Sequence, residues 1–170
     1  MAGCAALAGS AFAPTGFASI NSHPQRELSL RNLHTGENIK LTYWEEGDYL
    51  AESLREINHL LRDHRTGEVA SMDRQLLDLL FYLENRLGRQ GEFQVISGYR
   101  SPKTNELLRS KSSGVAKQSL HMQGRAIDIR LPGTELKQLR KAAMALKQGG
   151  VGYYQKSNFI HVDTGRVRYW

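Results

Sequence analysis

In the run Ala126-Ile127-Asp128-Ile129 a carboxylate stands in the middle of an apolar strand. Burying such a group alone costs several kcal/mol, so Asp128 demands a cation or several hydrogen-bond donors. Period-two alternation puts Ala126 and Asp128 on one face and Ile127 and Ile129 on the other. A second stretch repeats the pattern. In Asn158-Phe159-Ile160-His161-Val162-Asp163, Phe159, His161 and Asp163 share one face, while Ile160 and Val162 turn to the other, toward the core. Two strands that each present polar groups from one face make a crowded polar site. With His121, seven positions before Asp128, they offer two imidazoles and a carboxylate, a set that suits zinc. Catalytic zinc is typically held by three protein ligands with a fourth position open. There it lowers the pKa of a water to roughly 7 and polarises carbonyls. Taken singly, each residue has a plainer reading: a polar surface histidine, a salt-bridged strand aspartate.

Around these stretches the pattern alternates between strands and helices. Glu27 to Leu33 and Asn38 to Trp44 read as a hairpin joined by His34-Thr35-Gly36-Glu37. Tyr49 to Arg62 has helical spacing at Leu50, Leu54, Ile57 and Leu61. A second helix is predicted from an N-cap at Ser71 to Leu87, stopped by Gly88, and apolar nearly all round, hence deep in the core. Phe93 to Ser97 is a predicted strand, Ser101 to Arg109 a short helix, and Lys111 to Ser119 a basic loop. Gly124 to Ile129 is a strand, and Thr134 to Gln148 a helix capped by Thr134 and ended by Gly149-Gly150. Val151 to Tyr154 and Asn158 to Thr164 form a last hairpin. The expected fold is α+β: a single domain with a small antiparallel sheet and helices packed on it.

The 170 residues suit one domain, and 40% apolar with 24% charged residues excludes a disordered chain. The net charge of +6 serves solubility or an anionic polymer. No basic run with interleaved aromatics points to nucleic acid. Residues 1–13 carry no charged side chain and end in Ala-Phe-Ala, which resembles the latter part of a secretory signal without its basic start. The stretch is too short to span a membrane. Residues 14–26 are expected to be a linker and residues 27–170 the folded domain. Cys4 is the one cysteine, so a chain without the signal has no thiol and tolerates an oxidising compartment. Export to the periplasm of a Gram-negative envelope is the expectation.

Ser119-Leu120-His121-Met122-Gln123-Gly124-Arg125-Ala126-Ile127-Asp128 resembles the Ser-x-His-x-x-Gly-x-Ala-x-Asp signature of D-Ala-D-Ala-type zinc metallopeptidases. Ser97-Gly98-Tyr99-Arg100-Ser101 is similar to an upstream block of that superfamily, and His161 sits where a second metal histidine is expected. The superfamily also includes lysostaphin-like endopeptidases and the hedgehog signalling domain. From Leu30 to Trp170 the chain looks closest to its murein endopeptidase branch, with Asn32 to Glu37 and Gly149 to Tyr154 adding to the match.

The resemblance implies a hedgehog/DD-peptidase-like fold and one zinc ion held by His121, Asp128 and His161. Arg100 would face the substrate or stabilise a developing oxyanion, and Ser119 would steady the loop presenting His121. Relatives that cleave D-Ala-D-Ala commonly carry the catalytic base there, a Glu at the position of Asn158 or a His at that of Phe159, and neither residue can take a proton here. Asp163 is the nearest titratable alternative; it either serves as catalytic residue, or orients a ligand or anchors a turn. Tyr153 and Tyr154 either line a cleft or pack; Lys111 and Lys117 either meet substrate carboxylates or are solvated. His34, His59 and His64 read as turn and surface residues. The implied activity is hydrolysis of peptidoglycan peptide cross-links, at D,D or meso-diaminopimelate L,D bonds. A D,D-carboxypeptidase and a non-hydrolytic zinc-binding peptidoglycan-recognition module are the alternatives. Stem peptides are the expected partners; the oligomeric state is left open.

Overall fold

A computed structural model describes residues 23–112 and 114–170, so the expected signal with Cys4 and most of the expected linker lie outside the described residues. Two strands open the fold, β1 (Gln25–Asn32) and β2 (Asn38–Glu45), paired antiparallel with Leu28 opposite Leu41 and Leu30 opposite Ile39. β1 begins at Gln25, inside the segment read as linker. A two-residue strand, β3 (Asp48–Tyr49), takes up Tyr49, and α1 (Ala51–Leu60) is accordingly shorter than its apolar spacing suggested.

The central helix α2 (Arg74–Leu87) buries Leu76, Leu77, Leu79, Leu80, Phe81 and Leu83, as its apolar circumference required. Each such side chain stabilises by about 1.5–3 kcal/mol when fully buried. Its N-cap is Asp73 rather than Ser71: the Asp73 carboxylate accepts the Gln75 N–H at 3.0 Å. Gly88, in the left-handed region, ends it.

β4 (Glu92–Ser97) returns parallel to β1, then α3 (Pro102–Lys111) starts at a Ser101 cap. After a 3₁₀ turn (Leu120–Gln123) come β5 (Ala126–Arg130) and α4 (Leu136–Leu146). Thr134 does not cap α4. Its N–H is spent on the Leu131 carbonyl in a preceding turn, Glu135 takes the cap position, and Lys147 rather than a glycine ends the helix. β6 (Gly150–Tyr154), β7 (Phe159–Asp163) and β8 (Arg168–Tyr169) finish the chain.

All strands join one sheet in the order β3-β2-β1-β4-β5-β7-β6-β8. The fold is α+β as expected, but the sheet is neither small nor purely antiparallel: it has eight strands, and β1/β4 and β6/β8 run parallel. Two helices between β1 and β4 give the chain length for a crossover, which a parallel pair requires. Beyond β7 the chain passes over β6 and lays β8 on its far edge. One sheet face, with Leu28, Leu30, Phe93, Val95, Ile127, Ile129, Ile160 and Val162, forms the core with α2 and α4. Across β5 and β7 the opposite face is left for polar residues.

Candidate metal centre

Strand register assembles the site. Asp128 on β5 lies opposite His161 on β7, and Ala126 opposite Asp163. Ser97 on β4 lies opposite Asp128, Gly152 on β6 opposite His161, and Tyr154 opposite Phe159. Opposed residues of an antiparallel pair project from the same face, so the row Ser97, Asp128, His161, Gly152 crosses four strands on the side away from the core. His121 enters from the 3₁₀ turn, where the Ser119 hydroxyl accepts its backbone N–H at 3.3 Å. Gly124 closes that turn with φ +67°, and a side chain there would run into the Ser71 carbonyl.

Three atoms converge. His121 Nε2 and Asp128 Oδ1 are 3.3 Å apart, Asp128 Oδ1 and His161 Nδ1 2.9 Å, and the two imidazole nitrogens 3.2 Å. The outer nitrogens fix the tautomers. His121 Nδ1 donates to the Gly98 carbonyl at 2.8 Å, and His161 Nε2 donates to Asp163 Oδ2 at 2.9 Å. Three lone pairs therefore face one another with no proton among them, an arrangement that repels unless a cation sits between. Tetrahedral zinc with bonds of 2.0–2.1 Å needs ligand atoms about 3.3 Å apart. The observed triangle fits that requirement, and all three residues are buried.

Burial alone would raise the Asp128 carboxyl, yet His121 and His161 outweigh it and hold the group below the usual carboxylate range. Burial would lower His161; without a metal, the Asp128 and Asp163 carboxylates, which accept from the protonated ring, reverse that and raise it.

Asp163 is fully buried. Besides His161, it accepts from the backbone N–H groups of Gly150 at 3.0 Å and Gly165 at 2.8 Å, and from both terminal nitrogens of Arg168 at 3.1 and 2.7 Å. Against the upward push of burial, these donors hold it below its ordinary value. Arg168, whose guanidinium also lies 4.9 Å over the Trp170 ring, gave no signal in the sequence.

Arg100 stands on the β4 side, its Nη2 3.9 Å from Asp128 Oδ2. Its other contacts are long: 3.5 Å to Asn105 Oδ1 and 3.4 Å to Ser97 Oγ. Its buried Nε has no partner among the described residues. Burial pushes the guanidinium below its ordinary value, with Asp128 opposing. The turn that carries it is pinned at three points. Tyr99 N–H donates to Leu61 O at 2.7 Å, Arg100 N–H to His121 O at 3.2 Å, and Ser101 N–H to Asp63 Oδ2 at 2.8 Å. A Cβ on Gly98 would come within 2.5 Å of the Leu61 carbonyl, so only glycine permits this approach. Burial would raise Asp63, but donors from Thr104, Ser101 and Arg65 bring it down to about 2. A single aspartate in a polar stretch after a helix carries no sequence signal for that role.

A cleft of about 460 Å³ opens above His121, Asp128 and His161, bounded by Arg100, Ala116, Gln118, Tyr154, Phe159 and Trp170 among others. Beyond these three, the described residues lining it include no acidic or imidazole side chain. Phe159 stacks on Tyr154 at 4.6 Å, and Asn158 closes the β6–β7 turn in the left-handed region. Of the two tyrosines, Tyr154 lines the cleft and Tyr153 packs against the core. Residues from the 112–118 segment form one rim, whereas Lys111 and Lys117 are exposed and absent from the lining. His34 and His64 stack at 3.8 Å between the β1–β2 turn and the loop after α1, a pairing the sequence did not suggest. Among the described residues no helix is long and apolar enough to cross a membrane.

Comparison with known proteins matches residues 20–170 to the family described as peptidoglycan L,D-endopeptidase MepK. The chain is 46% identical over 163 residues to the peptidoglycan L,D-endopeptidase MepK of Escherichia coli strain K12, covering 95% of this chain and 90% of that protein. Identity and coverage are the same for the MepK of Shigella flexneri. A probable peptidoglycan L,D-endopeptidase MepK of Haemophilus influenzae is 42% identical over 154 residues, 90% of this chain and 83% of that one.

Proposed function

The chain belongs to the peptidoglycan L,D-endopeptidase MepK family, and from that premise we propose that it is an exported zinc peptidase that hydrolyses peptide cross-links of peptidoglycan, L,D bonds in particular. The observation that carries the reading is the triangle of His121 Nε2, Asp128 Oδ1 and His161 Nδ1 on the floor of an open cleft. One zinc ion held by these residues supplies Lewis acidity, polarising a carbonyl and lowering the pKa of a water.

The remaining work falls to the chain itself. Gly98 O and Asp163 fix the tautomers of His121 and His161, so both rings present a bare nitrogen to the ion. In this reading Asp163 orients His161 and is not the proton carrier, because donors surround both its oxygens and it does not line the cleft. Arg100 keeps an under-used guanidinium beside the ligands, positioned to stabilise negative charge growing on the scissile carbonyl oxygen. Asp63 and Leu61 hold the Arg100 turn in place. In this reading the peptidase domain takes in β1 from Gln25, two residues before the expected start at residue 27, and residues 1–13 are part of an export signal. Action on peptidoglycan implies the cell envelope, and the periplasm is the compartment in this reading.

The test is digestion of purified L,D-cross-linked muropeptide dimers. Wild type releases monomers; a chelator stops release and added zinc restores it, while His121→Ala releases none. Release that persists through chelation and in His121→Ala would overturn the metal mechanism. No release by folded, zinc-loaded wild type would leave a recognition module without hydrolysis.

A further inference from the structure

The β6–β8 side of the cleft carries a built arrangement that the metal chemistry leaves unused. Gly152 lies opposite His161, and because it has no side chain the Trp170 indole packs directly on the strand; a Cβ there would sit 2.7 Å from the ring. Trp170 thereby reaches the open side of His161, ring centres 5.3 Å apart. Its Nε1–H donates to the Tyr154 hydroxyl oxygen at 3.0 Å. Tyr154 is gripped on its flat face as well, by Phe159.

Two consequences follow for the Tyr154 hydroxyl. Its oxygen already accepts a hydrogen bond, so its own hydrogen is free to point elsewhere as a donor. The ring is held between a stacking partner and an indole, so the donor is pre-organised and loses little entropy itself when it meets an acceptor. No hydrogen bond donated by this hydroxyl is formed among the described residues, although the residue lines the cleft. The sheet order β4-β5-β7-β6-β8 puts Arg100 and Tyr154 on opposite flanks of the ligand row.

The chemistry of the flank selects an anionic oxygen as the acceptor. Arg168 lies over the Trp170 ring, the Asp163 carboxylate that pairs with it is buried with its oxygens engaged, and among the described residues lining the cleft Asp128 alone is acidic while Arg100 and Arg168 are cationic. In a diaminopimelate cross-link, the residue that contributes the scissile nitrogen bears a carboxylate on the same carbon. That group is one carbon from the reacting nitrogen, and Tyr154 lines the same cleft as His121, Asp128 and His161. Resting on the endopeptidase reading above, we propose that Tyr154, held by Trp170, is a substrate-positioning residue that donates a hydrogen bond to the carboxylate adjoining the scissile nitrogen.

The test uses L,D-cross-linked muropeptide dimers in two forms, with that carboxylate free or amidated, and compares kcat/KM for wild type, Tyr154→Phe and Trp170→Phe. Wild-type hydrolysis of the free form is the entry condition; its failure counts against the endopeptidase reading and is distinct from failure of this one. Wild type should favour the free carboxylate, and Tyr154→Phe should lose ~10-fold or more on that form, as expected for a hydrogen bond to a charged group, with little change on the amidated form. Trp170→Phe, which keeps the ring but removes the Nε1–H, should show a smaller loss in the same direction. Zinc content and thermal midpoint should match wild type in both variants. As a readout independent of turnover, the zinc-free proteins are titrated calorimetrically with the free-carboxylate dimer, and Tyr154→Phe should bind it more weakly. Equal losses on both substrates, or no loss in Tyr154→Phe, would overturn the assignment.

Discussion

His161 shows how one side chain acquires a defined chemistry from its neighbours. Its Nε2 is committed to Asp163, and Asp163 is in turn fixed by Arg168 and two backbone N–H groups. Partners of this kind orient a metal-binding ring, and their loss typically costs 10–100-fold in metal affinity. Asp163→Asn should therefore bind zinc on the order of 10–100-fold more weakly, measured by competition with a chromophoric chelator. An affinity equal to wild type would mean that Asp163 does not position His161. Alternation in the sequence sufficed to put His161 and Asp163 on one face, and so to nominate the site. It left the role of Asp163 open, because a face does not reveal that Arg168 and the Gly150 and Gly165 amides saturate the carboxylate.

The turn from Gly98 to Ser101 is the element that presents both the His121 acceptor and Arg100, and Asp63 anchors it from the loop after α1. Asp63 titrates at about 2 in the fold against 3.8 for an ordinary aspartate. A lowered carboxyl contributes stability that is present above the ordinary value and lost as pH falls through about 2. The linkage amounts to about 2 kcal/mol for this shift. Asp63→Asn should melt lower than wild type at pH 7, with the gap narrowing as the pH approaches 2. It should also lower kcat through misplacement of Arg100. A constant gap across pH would rule out the ionised carboxylate as the anchor. Short-range patterns made most elements readable: the two hairpins by alternation, α2 by its apolar girth. Caps were less so. Ser71 and Asp73 both satisfy the capping preference, and only the geometry of the loop selects Asp73. The β1/β4 parallel pairing joins strands separated by two helices, and no local pattern encodes it.

At the scale of the whole molecule, stability and function draw on opposite faces of the same sheet. On the structural side Glu84 of α2 is buried, and among the described residues the Gly91 N–H is its one donor, at 2.9 Å. Burial, aided by the nearby Glu27, pushes its carboxyl up to about 7 from 4.5. A raised carboxyl makes the folded state bind more protons than the unfolded one between those values. Stability therefore falls as pH rises from about 4.5 to about 7, by about 3 kcal/mol at most. Glu84→Gln keeps the acceptor oxygen and removes the charge. Its thermal midpoint should exceed wild type at pH 8 and match it at pH 4; a gain of equal size at both would contradict the assignment.

The centre was the most legible part of the molecule, because a carboxylate in an apolar strand, a histidine on the strand opposite and a second histidine seven positions upstream leave few chemical options. Its boundary was the least legible, since Trp170 and Arg168 act through contacts across the sheet edge. The claim on which everything else depends is that His121, Asp128 and His161 hold one metal ion. Equilibrium dialysis against zinc, followed by metal analysis, tests it directly. Wild type should retain one zinc per chain. His121→Ala, Asp128→Ala and His161→Ala should each retain far less while keeping the wild-type circular dichroism spectrum. Wild type that retains no zinc, or a folded His121→Ala that retains it as wild type does, would contradict the account.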